Sequence, residues 1–144
     1  MNISRLEVIV VSDVLVNNER IQACQDVFDN DLVKKELRHA DREKMLCLHL
    51  NGKHQIISYE IVSIGTLSSS LAHPREIFKA AILANAYAIL LVHNHPSGDP
   101  NPSQEDTKVT ERIKNCGEIL GINLVDHVIV TAGGYYSFRE HGLL

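Results

Sequence analysis

The spacing of apolar and polar residues along the first third of the chain predicts a strand followed by a helix. Residues 7–16 are rich in β-branched side chains, which predicts a strand. Over residues 20–38 the apolar side chains recur at intervals of three to five, which predicts a helical stretch. The polar run at residues 29–31 marks a point at which this stretch breaks in two.

The middle of the chain predicts a β-hairpin and a second helix. Residues 45–50 and 55–64 have the composition of strands and flank Asn51-Gly52, a strong short-range hairpin sequence. Pro74 suits the first position of a helix, with His73 as its cap, and an apolar stripe follows over residues 77–82. This part of the chain is therefore predicted to contain two strands followed by a helix.

The last part of the chain is predicted to contain a strand, a helix and two further strands. Residues 88–92 are continuously apolar, which is typical of a strand covered on both faces. A third helix begins at Ser103 and is stopped by Gly121, and strands follow at residues 124–130 and 135–138. The order of elements predicts an α/β fold, with a mixed central sheet flanked by helices.

Composition and charge exclude several classes of protein. With 144 residues, of which 44% are apolar and 22% charged, residues 1–144 are predicted to form a single domain. The formal net charge is −4 and the basic residues are scattered among acidic ones, which disfavours nucleic acid as a partner. The apolar run at residues 80–92 is too short to cross a bilayer, and residues 1–7 lack a secretory pattern. We therefore expect a cytoplasmic protein with no membrane association.

Candidate chemistry is concentrated between Leu91 and Asp106, directly after the buried strand. His93 and His95 are one residue apart, so in an extended chain both imidazoles point to the same side and can bind one ion. Asp106, in the first turn of the next helix, is a candidate third ligand. Two imidazoles and one carboxylate leave one position of a tetrahedral Zn²⁺ ion open for water, which is typical of a catalytic site.

Each part of this pattern also has a purely structural interpretation. Ser103 and Asp106 have the spacing of a capping box, in which the serine caps the helix and the carboxylate bonds back to its amide. A His-x-His pair at the end of a strand is more often a hydrogen-bonded pair than a pair of ligands. The joint occurrence of the two patterns is what favours a metal site.

Taken together, these residues resemble a known family. His93, His95, Ser103 and Asp106 reproduce the spacing H-x-H-x7-S-x2-D, which resembles the core signature of the JAMM metalloproteases. The string HNHPSGDPNPS resembles more closely the bacterial RadC branch of that MPN superfamily. The resemblance extends over residues 42–142, whereas residues 1–41 are a strand-plus-helix portion that precedes it.

The resemblance implies a fold and a reaction. The fold would be the layered architecture of the MPN domain, similar to that of cytidine deaminases. The reaction would be hydrolysis of an amide or isopeptide bond in a peptide or protein substrate by Zn²⁺-activated water, with His93, His95 and Asp106 at the ligand positions.

The resemblance also implies a general base and an oxyanion donor. Glu43, just before the first hairpin strand, matches the glutamate that acts as general base, and Ser103 matches the residue whose hydroxyl stabilises the oxyanion. Two other carboxylates compete with Glu43. Glu76 lies in a first helical turn, where the helix dipole favours it, and Glu60 lies on a predicted strand that can face solvent.

Two questions stay open at this point. Asp126-His127 can support a ligand imidazole through a hydrogen bond, or can be a buried pair with no role at the site. The function itself has alternatives: a zinc metallopeptidase or isopeptidase, a DNA-repair-associated module of the RadC type, or a catalytically silent interaction domain. The scattered basic residues disfavour the second, and the complete ligand set disfavours the third.

Overall fold

A computed structural model describes residues 1–5, 7, 20–68 and 71–144, and these form a central sheet with helices on both faces. The strand predicted over residues 7–16 lies, apart from Glu7, outside the described residues. The helices are α1 (Cys24–Asp29), α2 (Asp31–Val33), which continues as a π-helical turn (Lys34–Arg38), α3 (Pro74–Leu83) and α4 (Gln104–Leu120). The strands are β1 (Lys44–Leu50), β2 (Ile56–Ile64), β3 (Ala88–Asn94), β4 (Asn123–Val130) and β5 (Tyr135–Ser137).

The sheet contains both parallel and antiparallel pairs. Its strand order is β2-β1-β3-β4-β5. β3 and β4 are parallel and are joined through α4, whereas the other neighbouring pairs are antiparallel. The predicted mixed α/β sheet flanked by helices is therefore confirmed.

Each face of the sheet has its own apolar core. The face covered by α1, α2 and the π-helical turn is called here the α1 face, and the face covered by α3 and α4 is called the α4 face. Successive residues of β1 alternate between them, so that Leu46 and Leu48 pack on the α1 face and Met45 and Cys47 on the α4 face. β3 is buried along its whole length, and its residues likewise alternate between the two cores.

Local sequence explains where the helices begin and end. Asn30 has extended backbone angles and its side chain accepts from the amides of Leu32 and Val33, so it separates α1 from α2 at the predicted break. His73 caps α3 in front of Pro74.

The predicted hairpin at residues 45–64 is confirmed, whereas the predicted end of β3 at residue 92 was wrong. The hairpin between β1 and β2 has a five-residue loop, residues 51–55, in which the Asn51 side chain accepts from the amides of Lys53 and Gln55. The loop includes His54 at positive φ, so Asn51-Gly52 does not form a two-residue turn. In addition, β3 extends to Asn94, which places His93 inside the strand.

Candidate metal centre

The candidate metal centre lies where β3 ends and α4 begins. His93 belongs to β3 and His95 follows two residues later, so both imidazoles point towards the first turn of α4. Asp106 lies in that turn. The side chains of His93 and Asp106 are 1% and 3% exposed, whereas that of His95 is 12% exposed, so the centre meets solvent on the His95 side.

The three side chains direct one ligand atom each to a common point. The Nε2 atoms of His93 and His95 are 3.0 Å apart. Asp106 places Oδ1 3.4 Å from the His93 Nε2 and Oδ2 3.2 Å from the His95 Nε2. Of the described residues, these form the group that could hold a metal ion.

These separations fit a tetrahedral zinc site. Zinc bonds to nitrogen and oxygen of about 2.0–2.1 Å place neighbouring ligand atoms roughly 3.3 Å apart. The two Nε2 atoms are 3.0 Å apart, and each lies 3.2–3.4 Å from one of the two Asp106 oxygens. Two nitrogen lone pairs and a carboxylate at this distance repel one another unless a proton or a metal cation lies between them. The donor set, two imidazoles and a carboxylate, is one that zinc prefers.

The hydrogen bonds behind His93 fix which of its nitrogens is free to bind a metal. The Thr110 hydroxyl donates its one proton to the Asp106 carbonyl oxygen at 2.7 Å, so it accepts from the Nδ1–H of His127 at 2.5 Å. His127 is buried, and burial lowers its pKa, so the ring is neutral and its Nε2 is an acceptor. The Nδ1–H of His93 donates to that nitrogen at 2.7 Å, which leaves the His93 Nε2 with a lone pair.

The loop after β3 fixes the tautomer of His95 in the same way. Its Nδ1 lies 2.8 Å from the carbonyl oxygen of Asp99, which can only accept, so Nδ1 carries the proton and Nε2 is the potential ligand. Asp99 is held by a turn in which its side chain accepts from the Asn101 amide. The Gly- and Pro-rich segment therefore orients His95.

The charges at the centre are those that a cation requires. Burial by itself raises the pKa of Asp106, but the proximity of His93 and His95, each of which can take up a proton on Nε2 when no metal is bound, outweighs burial and holds this pKa well below its usual value. The bond to Asp106 in turn raises the pKa of His95. Asp106 is therefore an anion at neutral pH, close to the two imidazoles.

Glu43 lies next to this centre. It precedes β1 by one residue, and its carboxylate Oε2 accepts from the amide of Leu67 at 3.0 Å. Its main-chain carbonyl accepts from the amide of Gly65 at 2.7 Å. In the register of β1 and β3, Met45 lies opposite His93, so Glu43 precedes β1 at the end of the sheet that carries the candidate ligands. Its negative charge contributes to raising the pKa of His95.

The two competing carboxylates lie elsewhere. Glu60 is on β2, opposite Cys47, and burial raises its pKa. Glu76 is in the first turn of α3, where it forms a salt bridge with Lys79. Glu43 therefore remains the candidate for the general base, and its catalytic role stays a prediction.

Ser103 combines the two interpretations that the sequence left open. Its Oγ accepts from the Asp106 amide at 3.1 Å, and its own amide donates to the Asp106 Oδ2 at 2.8 Å, which is a complete capping box. The same Oδ2 faces His95. The cap therefore orients the candidate ligand, while an oxyanion role for the Ser103 hydroxyl stays a prediction.

Asp126 and His127 have different partners. His127 is hydrogen-bonded to His93 on the α4 face. Asp126 accepts instead from the hydroxyl of Ser137 and the amide of Arg139, away from the ligands. Only the histidine of this pair supports a ligand imidazole.

Comparison with known proteins agrees with this geometry. A family model described as the RadC-like JAB domain matches residues 21–143. The chain belongs to the RadC-like JAB domain family. This confirms the resemblance noted in the sequence; the division at residue 41 and the extent of the domain over residues 1–144 stay predictions.

Similar proteins carry a family name that states no activity. The chain is 50% identical over 127 residues to a UPF0758 protein of Chlorobaculum parvum, covering 88% of this chain and 56% of the relative. It is 46% identical over 125 residues to a UPF0758 protein of Symbiobacterium thermophilum and 42% identical over 125 residues to one of Methanosarcina mazei, covering 87% of this chain in both cases. The relatives are covered to 53% and 54%. This RadC-like chain thus spans about half the length of the curated relatives it matches.

Sequence reasoning missed two residues of this RadC-like site. Thr110 was not considered, although it follows Asp106 by four residues and so lies on the same side of α4. Asn94, between the two histidines, was treated only as part of the motif and the loop. The described residues contain no helix long and apolar enough to span a membrane.

Proposed function

We propose that this RadC-like domain binds Zn²⁺ through His93, His95 and Asp106 and hydrolyses an amide or isopeptide bond in a peptide or protein. The observation that carries the proposal is the convergence of one ligand atom from each of the three side chains, all within 4.8 Å of one another. In both histidines the opposite ring nitrogen is occupied by a hydrogen bond. When bound, a zinc ion with three protein ligands supplies Lewis acidity and an acidified water.

The residues around the ligands supply the other groups that amide hydrolysis needs. The Glu43 carboxylate accepts a proton from the attacking water and delivers it to the leaving nitrogen. The Leu67 amide, bonded to Oε2, holds that carboxylate in place. The hydroxyl of Ser103 accepts from the Asp106 amide and keeps its own proton, which it can donate to the oxyanion.

Variants at the ligands and the base test the two parts of the proposal separately. We expect the wild type to bind one zinc ion per chain by elemental analysis, and His95→Ala to bind none. Glu43→Gln should keep the zinc and lose turnover by about 10²- to 10⁴-fold, because a glutamine cannot accept the proton. Turnover would be followed with fluorogenic peptide libraries that contain both main-chain amide and lysine isopeptide bonds.

Matched controls and contradicting outcomes follow from the same structure. His39→Ala and Glu76→Gln change an exposed histidine and an exposed carboxylate outside the site and should change neither property. A wild type without zinc would reject the metal site. Full turnover in Glu43→Gln would reject the base, and a zinc-loaded wild type that cleaves none of the probes would reject hydrolysis of these bonds.

Family membership is equally compatible with a DNA-repair-associated or catalytically silent module. The formal net charge of −4 does not favour a polyanion. Binding to a labelled DNA duplex that weakens steeply with added salt would support the nucleic-acid alternative.

A further inference from the structure

The side chain of Asn94 reaches from between the two histidines to the segment that carries Glu43. Asn94 is the last residue of β3 and is 3% exposed. Its Oδ1 accepts from the amide of Lys44 at 2.7 Å, and its Nδ2 donates to the carbonyl oxygen of Arg42 at 3.0 Å. One side-chain amide thus binds the main chain immediately before and immediately after Glu43.

The strand register explains why a side chain makes these contacts. The antiparallel pairing of β1 with β3 ends at Met45 opposite His93. Beyond that pair, the main chain of Asn94 pairs only with β4, opposite Val130. The side chain of Asn94 therefore continues the connection to β1 where the main-chain ladder has stopped, at the position of Lys44, directly after Glu43.

Glu43 is held from the opposite side as well. The Gly65 amide, just after β2, donates to its carbonyl oxygen at 2.7 Å, and the Leu67 amide donates to its carboxylate at 3.0 Å. The Asn94 contacts are the part of this arrangement that comes from the strand carrying the ligands. They connect the main chain on both sides of Glu43 to the strand that carries His93.

We propose that Asn94 is a positioning residue that aligns Glu43 with the metal ligands. This inference rests on the proposed function, because it assumes that Glu43 acts on a substrate at the zinc site. An amide suits this position because it offers a donor to Arg42 and an acceptor to Lys44 in one planar group. The middle residue of the His93-Asn94-His95 sequence thereby links the ligands to the base.

The test compares Asn94→Ala with Asn51→Ala. Asn51 lies directly after β1, at its opposite end, and its side chain also makes several hydrogen bonds, so it controls for the loss of a side-chain hydrogen-bond network next to the same strand. Three properties are measured on the zinc-loaded and the metal-free chain: zinc affinity by competition with a chromophoric chelator, hydrogen exchange of the Lys44 and Leu67 amides, and turnover of the fluorogenic libraries.

We expect Asn94→Ala to keep the zinc and lose the alignment. Zinc affinity should stay within about threefold, because no ligand or ligand-orienting bond is removed. Exchange should speed up by about tenfold or more at Lys44 and also at Leu67, whose amide reports the position of the Glu43 carboxylate. Turnover should fall by about 10- to 100-fold, the effect of a small misplacement of a catalytic group. Asn51→Ala should leave Leu67 exchange and turnover unchanged.

A double variant separates positioning from a general structural effect. If Asn94 acts through Glu43, Asn94→Ala combined with Glu43→Gln should turn over no more slowly than Glu43→Gln alone. Should Asn94→Ala not fold, Asn94→Asp is judged by amide exchange. It keeps the acceptor for Lys44 and loses the donor to Arg42, so the same direction of change at Leu67 is expected.

Two results would overturn the inference. Unchanged Leu67 exchange in Asn94→Ala, with turnover also unchanged, would show that Asn94 does not position Glu43. A double variant slower than Glu43→Gln by the full single effect of Asn94→Ala would show that Asn94 acts independently of Glu43. If the zinc-loaded wild type has no turnover, the proposed function fails, while the Leu67 amide still decides whether Asn94 holds the Glu43 carboxylate.

Discussion

Asp126 and His127 are neighbours on β4, yet each belongs to a different buried polar cluster on a different face of the sheet. Asp126 points to the α1 face, where its two carboxylate oxygens accept from the amides of His127 and Arg139 and from the hydroxyl of Ser137. His127 points to the α4 face and accepts from His93. The two clusters have similar burial and similar chemistry, so their difference is informative.

The two clusters differ in the hydrogen-bond acceptors that remain without a donor. In the Asp126 cluster the carboxylate is saturated by internal donors, and the Ser137 hydroxyl that it binds also accepts from the Glu140 amide. In the His127 cluster every donor is used, but two imidazole lone pairs and the Asp106 carboxylate remain directed at one point. A closed cluster stabilises the fold, whereas a cluster with converging unused acceptors is organised to bind a cation.

The largest expected effect distinguishes the two aspartates: one substitution should lower stability and keep zinc binding, and the other should abolish zinc binding and keep most of the stability. Asp126→Ala should lower the free energy of unfolding by about 3–4 kcal/mol, because it leaves buried donors without an acceptor, while one zinc ion per chain still binds. Asp106→Ala should abolish stoichiometric zinc binding and destabilise the metal-free chain by only about 1 kcal/mol, through loss of the capping box. Denaturant unfolding of the metal-free chains and elemental analysis measure the two effects.

One outcome would contradict the separation of the Asp126 cluster from the metal site. If Asp126→Ala lost zinc as completely as Asp106→Ala under conditions in which both are folded, the Asp126 cluster would belong to the metal site. Ser137→Ala is a milder control, because it removes only one of the donors to Asp126.

A third buried polar group, His49, tests whether an unused nitrogen is by itself a sign of function. Its Nδ1 lies 2.6 Å from the Ser58 Oγ, and its Nε2 has no hydrogen-bond partner within residues 1–5, 7, 20–68 and 71–144. No second ligand accompanies it among those residues. Burial lowers the pKa of His49 to about 4, below its ordinary 6.5.

The expected consequence is a pH-dependent stability. Because the pKa of His49 is lower in the folded chain, its contribution is complete above about pH 6.5 and is lost as the pH falls to about 4. Over this range the metal-free wild type should lose about 3 kcal/mol more unfolding free energy than His49→Gln. Urea unfolding across this pH range measures the difference, and a variant that loses stability in parallel with the wild type would contradict it. His39→Gln, at an exposed position, should follow the wild type.

The smallest expected effect concerns His127. Replacing it with phenylalanine keeps a ring against Phe138, on which His127 stacks at 4.9 Å, but removes the acceptor for His93. Zinc affinity should fall by about 10- to 100-fold, because the His93 tautomer is no longer fixed. His127→Gln, which offers an amide oxygen near the same position, should recover part of the loss. Chelator competition measures both variants, and an unchanged affinity in His127→Phe would show that His93 needs no such partner.

The three converging side chains could be predicted from sequence because their order follows from local rules, whereas their role as metal ligands stays a prediction. Residues two apart on a strand point the same way, so His93 and His95 were paired before any fold was known. The capping box predicted that Asp106 faces the start of α4. These rules do not predict the turn of residues 95–102, which brings the start of α4 back to the end of β3.

The partners of the ligands could not be predicted, because they come from distant parts of the chain. His127 is 34 residues from His93, and Asn94 is 50 residues from Lys44. The same limit applies to Asp126, whose assignment to the opposite face depends on an irregularity in the pairing of β3 with β4 near Leu124.

Within residues 20–68 and 71–144 the sequence by itself therefore determined most of the elements, the mixed α/β sheet and the identity of the three converging side chains, since each depends on the spacing of residues close together in the chain. Only the tertiary structure decided which nitrogen of each histidine is free, which carboxylate lies beside the ligands and which neighbour of β4 faces them. Those properties depend on hydrogen bonds between strands and helices that meet only when the sheet has formed, and a pattern along one chain does not contain the distances between them.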